Sequence, residues 1–271
     1  MQGFFFAPNF VKKIRLKSFR HHKPRPKKNS LIVGKAAIIN ALKEGKALER
    51  IFVQRELNSA ETEKVMSLAK NSQVPVNKVP AEKLNGMNVT GHEGFIALIS
   101  KVKYFDVQQI IDYVVEKGEA PLFIILDGIT DVRNIGGIAR SAYSMGVHAI
   151  IIPDKGVGAL NDDAILTSAG ALENLPVCRV NSLMKTVDDL HLNGIKVYAT
   201  EMKAQKNISE CNFAEPVAIV MGAEEKGIFP ALLKICDEKC KIPMAGNFDS
   251  LNVSVATGII LYEVLKQRSN G

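Results

Sequence analysis

No apolar stretch in these 271 residues reaches the eighteen or so needed to cross a bilayer, although 46% of the chain is hydrophobic. That excludes a membrane-spanning helix. Met1 to Phe10 contains Phe4-Phe5-Phe6 but no adequate apolar core followed by a small-residue cleavage site, so no secretory signal is expected and the cytoplasm is the expected compartment. Cysteine is scarce: Cys178, Cys211, Cys236 and Cys240 lie in or beside apolar segments. Cys236 and Cys240 have the spacing to share a helix face, but no histidine or second cysteine pair stands nearby at a zinc spacing, so packed, reduced thiols and no metal are expected. The glycine fingerprint of a dinucleotide site is also missing, because Gly128-Ile-Thr-Asp-Val-Arg-Asn-Ile-Gly-Gly137 does not read Gly-x-Gly-x-x-Gly. No repeat of fixed period occurs.

What remains is the composition of an ordinary globular protein, 23% charged and long enough for one large or two modest domains. The net charge of +7 is unevenly placed. Lys12, Lys13, Arg15, Lys17, Arg20, Lys23, Arg25, Lys27 and Lys28 fall within residues 1–30, which hold no acid. The rest of the chain carries 26 basic against 28 acidic groups and is close to neutral. With Pro24 and Pro26 opposing helix formation, residues 1–30 read as a flexible basic arm suited to salt-sensitive phosphate contacts. An idle solvated tail is the competing reading.

Periodicity divides the body. Residues 31–100 form a small α/β unit, with helices at Lys35–Glu44 and Glu61–Asn71 and strands at Leu48–Val53, Val76–Val79 and Phe95–Ser100. Residues 101–120 read as a helical linker, and 121–271 as a second unit. In that unit strands at Leu122–Leu126, Ala149–Ile152, Val177–Val180, Lys196–Thr200, Val217–Met221 and Lys239–Ile242 alternate with helices near Ile135–Met145, Asp163–Ala169, Ser182–His191, Pro230–Lys234 and Val253–Lys266. Such alternation predicts an α/β fold with a parallel sheet covered on both faces.

Three strand-end segments share one grammar. Leu122–Leu126 leads into Asp127-Gly-Ile-Thr-Asp131-Val-Arg-Asn134-Ile-Gly136-Gly-Ile-Ala-Arg140. Val217–Met221 leads into Gly222-Ala-Glu224-Glu-Lys-Gly227, and Ile242-Pro-Met244 precedes Ser250-Leu-Asn252-Val-Ser254-Val-Ala256 at the mouth of a helix. A helix mouth of that kind offers free N–H groups and small polar side chains to a ligand.

In order and spacing these segments resemble the three motifs of the SpoU (TrmH) family of S-adenosylmethionine-dependent RNA ribose 2′-O-methyltransferases. The N-terminal Val33-Gly34-Lys35-Ala36-Ala37-Ile38-Ile39-Asn40-Ala41-Leu42 and Gly91-His92-Glu93-Gly94-Phe95-Ile96-Ala97 resemble the branch acting on guanosine of 23S ribosomal RNA. The likeness spans roughly residues 31–268. It implies an L30e-like RNA-binding unit, a deep trefoil knot of the SPOUT type in the C-terminal unit, S-adenosylmethionine as cofactor, RNA as partner and a homodimer in which one protomer's arginine serves its neighbour's site.

Carried over residue by residue, the resemblance places the cofactor against Gly222, Ile242 and Leu251, with Thr200, Glu201, Met221, Ala223, Met244 and Ser250 beside them. The residue chemistry agrees: Gly222 lacks a Cβ and permits close approach, while Ile242, Met244 and Leu251 can form an apolar slot. The catalytic candidates are Asn134, Arg140, Glu224 and Asn252. Arg140 fits a phosphate clamp beside the target ribose better than a general base, because guanidinium groups hold their proton throughout the physiological range. Glu224 is either a loop-tying carboxylate or a direct participant, and Asn252 either a helix cap or part of the polar rim. His148 reads as a packed or capping imidazole, and His92 as a turn residue or an RNA contact.

Some positions depart from the family pattern. Val132 stands where proline is frequent, Gly137 replaces a commoner alanine at a helix-propensity cost of up to about 1 kcal/mol, and His92-Glu93 stands for His-Gln. Three readings stay open: ribosomal RNA as substrate, transfer RNA as substrate, and a catalytically silent RNA-binding or ribosome-assembly protein. Retention of all four catalytic candidates argues against the last.

Overall fold

The computed structural model describes residues 30–246 and 250–269; the expected basic arm, apart from Ser30, lies outside the described residues. Two sheets organise the chain. The smaller contains β1 (Leu31–Val33), β2 (Leu48–Gln54), β3 (Val76–Val79) and β4 (Phe95–Ile99) in the order β1-β4-β2-β3. β4 runs antiparallel to β1 and β2, while β2 and β3 are parallel.

Helices α1 (Lys35–Lys43) and α2 (Ala60–Asn71) cover one face of this sheet. The stripe Ile38, Ala41 and Leu42 on α1 recurs at helical spacing, and α2 buries Val65 and Ala69. Gly34 precedes α1 at φ 87°, a conformation open to glycine, and the Ser59 side chain caps α2 by accepting from Thr62 N. The short α3 (Ala81–Asn85) brings Leu84 to the opposite face, against Phe52, Val79 and Ile96.

The span expected to be a linker is built into the second sheet instead. Val102 is buried in its core, β5 (Tyr104–Phe105) is one of its strands, and α4 (Val107–Glu116) buries Ile110, Ile111 and Val114 against it. The Asp106 carboxylate caps α4 by accepting from the backbone N–H groups of Gln108 and Gln109. A two-residue strand carries no visible period, which is why it is silent in the sequence.

The second sheet comprises β5, β6 (Leu122–Asp127), β7 (Ala149–Pro153), β8 (Val177–Val180), β9 (Lys196–Thr200), β10 (Lys206–Asn207), β11 (Val217–Gly222) and β12 (Glu238–Lys241). Its order is β10-β12-β9-β11-β6-β7-β8-β5 and every ladder is parallel, as the alternation predicts. Side chains from one strand serve both faces. Ile124 and Leu126 enter the core under α5 (Val132–Ser144), α6 (Asp162–Thr167), α7 (Ala171–Asn174) and α10 (Val253–Ser269), whereas Phe123 and Ile125 enter the core under α4, α8 (Leu183–Leu192) and α9 (Pro230–Ile235). Burial on both sides explains why these strands read as unbroken apolar runs.

Some boundaries differ from expectation. α5 begins at Val132 rather than Ile135, because the Asp131 carboxylate accepts from Arg133 N at 2.8 Å and caps the helix there. β12 ends at Lys241, leaving Ile242 in the following loop. Cys236 follows α9 and Cys240 lies on β12, so the two share no helix.

Candidate active site

The C-terminal ends of β6, β9, β11 and β12 open on one side of the sheet, where ligands of parallel α/β folds bind. A cavity of 450 Å³ lies there. All nine residues expected around the cofactor line it: Thr200, Glu201, Met221, Gly222, Ala223, Ile242, Met244, Ser250 and Leu251. Its floor is apolar, with buried Met221, Ile228, Cys240 and Ile260, and its mouth carries Glu224, Lys226 and Lys241. That volume falls within the ordinary range for a small-molecule site, roughly 300–1,000 Å³.

Sequence reasoning missed several lining residues, including Met202, Val253, Ala256 and Ile260. Ala256 and Ile260 sit one turn apart on α10, and a helical stripe read as core gives no sign that its first turns also wall a pocket.

Gly222 has a different reason from the one expected. A Cβ there would meet Gly227 C, with Ile228 N at 2.5 Å and Gly227 O at 2.7 Å. The crowding comes from the loop itself, which folds back as Ala223 N donates to Gly227 O at 3.2 Å and Gly227 N to Ala223 O at 2.7 Å. Glycine at 222 therefore permits the chain's own hairpin, which in turn points Glu224 inward.

Glu224 joins all three motifs. Its Oε1 accepts from Asn252 Nδ2 at 2.7 Å, from Asn134 Nδ2 at 3.3 Å and from Val253 N at 3.3 Å. Asn252 Nδ2 also donates to Asn134 Oδ1 at 3.0 Å. On its other side Asn252 Oδ1 accepts from Ser254 N, Ser254 Oγ and Val255 N, capping α10. Asn252 is thus a helix cap and a member of the polar cluster at once. Glu224 receives donors only, which suits an orienting carboxylate.

Gly136 and Gly137 set how closely α5 meets its neighbours. A Cβ on Gly136 would lie 2.7 Å from Ala164 O and Thr167 Cβ of α6, and one on Gly137 would lie 3.0 Å from Ser254 Cβ of α10. The glycine at 137 therefore gives room to the very serine that braces Asn252.

Arg140 stands apart. It is exposed, six residues beyond Asn134 on α5, which is about 120° around the helix. Its guanidinium makes no hydrogen bond or ion pair among the described residues. The structure therefore gathers Asn134, Glu224 and Asn252 and leaves Arg140 on an open helix face.

Both singled-out histidines are engaged structurally. His148 Nδ1 accepts from Leu122 N at 3.0 Å and Nε2 meets Glu119 Oε2 at 3.0 Å, a contact that holds the Glu119 carboxyl below its usual range. His92 Nδ1 accepts from Gly94 N and Nε2 meets Asn85 Oδ1, so its ring closes the 91–94 turn. Burial pushes the Cys178 thiol up to about 12 and the Cys236 thiol up to about 11, which disfavours their thiolates.

Residues 121–262 match the model of the SpoU rRNA methylase family, and residues 31–105 match that of RNA 2′-O ribose methyltransferase substrate binding. YacO of Bacillus subtilis, assigned to the TrmH family of tRNA/rRNA methyltransferases, is 34% identical over 238 residues, covering 88% of this chain and 96% of its own. The SpoU methyltransferase AviRb of Streptomyces viridochromogenes, crystallised with AdoMet, superposes with a TM-score of 0.58 at 25% identity, covering 89% of this chain and 91% of AviRb. A solved RNA 2′-O ribose methyltransferase superposes at 0.51 with 27% identity, covering 88% of each chain. This chain belongs to the SpoU rRNA methylase family.

Proposed function

We propose that this chain is an S-adenosylmethionine-dependent enzyme that methylates a ribose 2′-hydroxyl of RNA, with 23S ribosomal RNA the favoured substrate. One observation carries the reading: a polar network of Asn134, Glu224 and Asn252 shares Glu224 with the wall of a 450 Å³ pocket that is lined by the residues expected to hold the donor. When bound, S-adenosylmethionine supplies a methyl group on a cationic sulfur. Met221, Ile242 and Leu251 would flank its apolar parts.

Glu224 orients the two asparagine amides, and Asn134 keeps one N–H free to hold the ribose. Arg140 grips the adjacent phosphate through its fork, and the hydroxyl proton passes to phosphate or water. The small unit, residues 31–100, is read as an L30e-like RNA-holding module, and the arm of residues 1–30 as a salt-sensitive phosphate contact. The C-terminal unit is read as a deep trefoil knot, with α10 threaded to lie against α5, and the cytoplasm as the place of work.

The homodimer belongs to the same proposal. α10 exposes Val255 (52%), Ile259 (37%), Tyr262 (62%) and Leu265 (43%) along one stripe, and α5 adds Tyr143 (52%) beside Arg140. A second copy of this chain laid on that stripe would bring its Arg140 to the neighbouring site. Sedimentation that finds only monomers at micromolar concentration would refute it.

Calorimetric titration with S-adenosylmethionine, then tritium transfer to unmodified rRNA and tRNA transcripts, tests the whole reading. Transfer to rRNA supports it, preference for tRNA moves the substrate, and donor binding without transfer identifies a silent RNA binder.

A further inference from the structure

The two sheets meet at one buried cation. Arg179 rises from β8 with its side chain 5% exposed and reaches the start of β2, where Nη1 donates to Glu49 O at 2.7 Å and Nη2 to Leu48 O at 2.8 Å. The Glu49 carboxylate lies 3.7 Å from Nη1 and accepts a hydrogen bond from the Tyr104 hydroxyl. The guanidinium also stacks over the Tyr104 ring, 3.7 Å from its centroid. Tyr104 belongs to β5, which pairs with β8 in the large sheet through Tyr104 and Val177.

Two features set this cluster apart from filler. Arg179 Nε is the one buried side-chain nitrogen or oxygen without a partner among the described residues, and leaving such a donor unpaired costs stability. Buried ion pairs can often be exchanged for apolar side chains without loss, so retaining this one calls for another reason. The second feature is direction: two parallel hydrogen bonds and a ring stack fix a guanidinium in angle as well as distance. The chain that crosses between the sheets is equally tied down. Ser100 Oγ donates to Val102 O at 2.8 Å, and Val102 is buried in the larger core.

We propose that Arg179 is a positioning residue, acting through Leu48, Glu49 and Tyr104 to fix the angle between the small sheet and the donor pocket. The substrate class follows: a folded RNA whose recognised element and methylated ribose are a set distance apart, rather than a short single strand. This rests on the functional reading above, in which the small sheet holds RNA.

The test uses the full chain with spin labels at Lys64→Cys on α2 and Lys185→Cys on α8, both exposed positions on opposite sides of the junction. The parent should give one narrow inter-label distance. Arg179→Met should broaden it and raise KM for a folded rRNA transcript at least tenfold, with kcat and the calorimetric Kd for S-adenosylmethionine within about threefold. Tyr104→Phe alone, which keeps the ring under Arg179, should largely retain the parent behaviour. If Arg179→Met does not fold, Arg179→Lys, which loses the two-pronged contact with Leu48 O and Glu49 O, is read in the same way. A broad distance in the parent, an unchanged distance in Arg179→Met, or broadening without a change in KM overturns the proposal. Absence of methyl transfer by the parent would refute the functional reading instead, while the distance measurement still decides whether the junction is rigid.

Discussion

Asn252 Nδ2 donates at once to Glu224 Oε1 at 2.7 Å and to Asn134 Oδ1 at 3.0 Å, so side chains from a loop and from the first turn of α5 share one amide. The carboxylate that receives it also accepts from Val253 N at the mouth of α10. Three motifs are therefore held by a single acceptor, and the consequences can be measured.

Glu224→Ala should strand Asn252 Nδ2 and Val253 N without their acceptor. We expect kcat for methyl transfer to fall on the order of 10²-fold, as loss of an orienting charged contact does. Glu224→Gln should fall less far, because its amide oxygen can accept from the same donors. Equal kcat in both variants and the parent would remove Glu224 from the machinery.

Arg140→Ala tests function against structure. The side chain is exposed and makes no polar contact among the described residues, so the unfolding free energy should change by no more than about 0.5 kcal/mol. Methyl transfer should drop at least about 10²-fold while donor affinity stays within about threefold. Denaturant melts, calorimetry and tritium transfer on one preparation check all three.

Gly222→Ala should open the hairpin between Ala223 and Gly227, because the added methyl overlaps backbone that cannot swing aside. A destabilisation of about 3 kcal/mol is expected, the upper range of overpacking. Calorimetric affinity for S-adenosylmethionine should weaken in step, since Ala223 and Glu224 line the pocket.

A pH dependence should come from Glu238, whose carboxylate bridges Lys196 and Lys206 (2.6 Å to the latter). Hydrogen bonds from Lys196 and then Lys206 hold its carboxyl below the ordinary carboxylate value, and the same contacts raise both lysines. A depressed carboxyl contributes stability that is present above its unfolded pKa and lost as pH falls through the folded one. The raised lysines act in the opposite sense, losing their contribution only at strongly alkaline pH. Glu238→Gln should therefore be less stable than the parent at neutral pH, and the gap should close below the carboxylate range. A gap that persists at acid pH in urea melts would contradict this.

Much of this was legible in residue order. The alternation from Leu122 onward fixed a parallel sheet, because strands buried on both faces must be apolar throughout and parallel neighbours need helical crossovers. The nine residues that line the pocket came from the family resemblance, motif position by motif position, with the lack of a Cβ at Gly222 and the apolar side chains of Ile242, Met244 and Leu251 agreeing with it. Cofactor identity came from resemblance, since a cavity of this volume by itself fits many ligands.

Other matters only the folded chain decided. Whether Gly222 makes room for a ligand or for its own loop depends on where Gly227 returns, and that is a contact across a turn. That Asn134 already lies on α5 depends on the helix starting at Val132, and that Tyr104 and Phe105 add a strand to the larger sheet depends on their pairing with Val177 and Cys178. Sequence determines these things locally through propensity and period. It leaves unstated which distant groups meet, because a hydrogen bond such as that from Asn252 to Asn134 is a fact of distance in space, 118 positions apart along the chain.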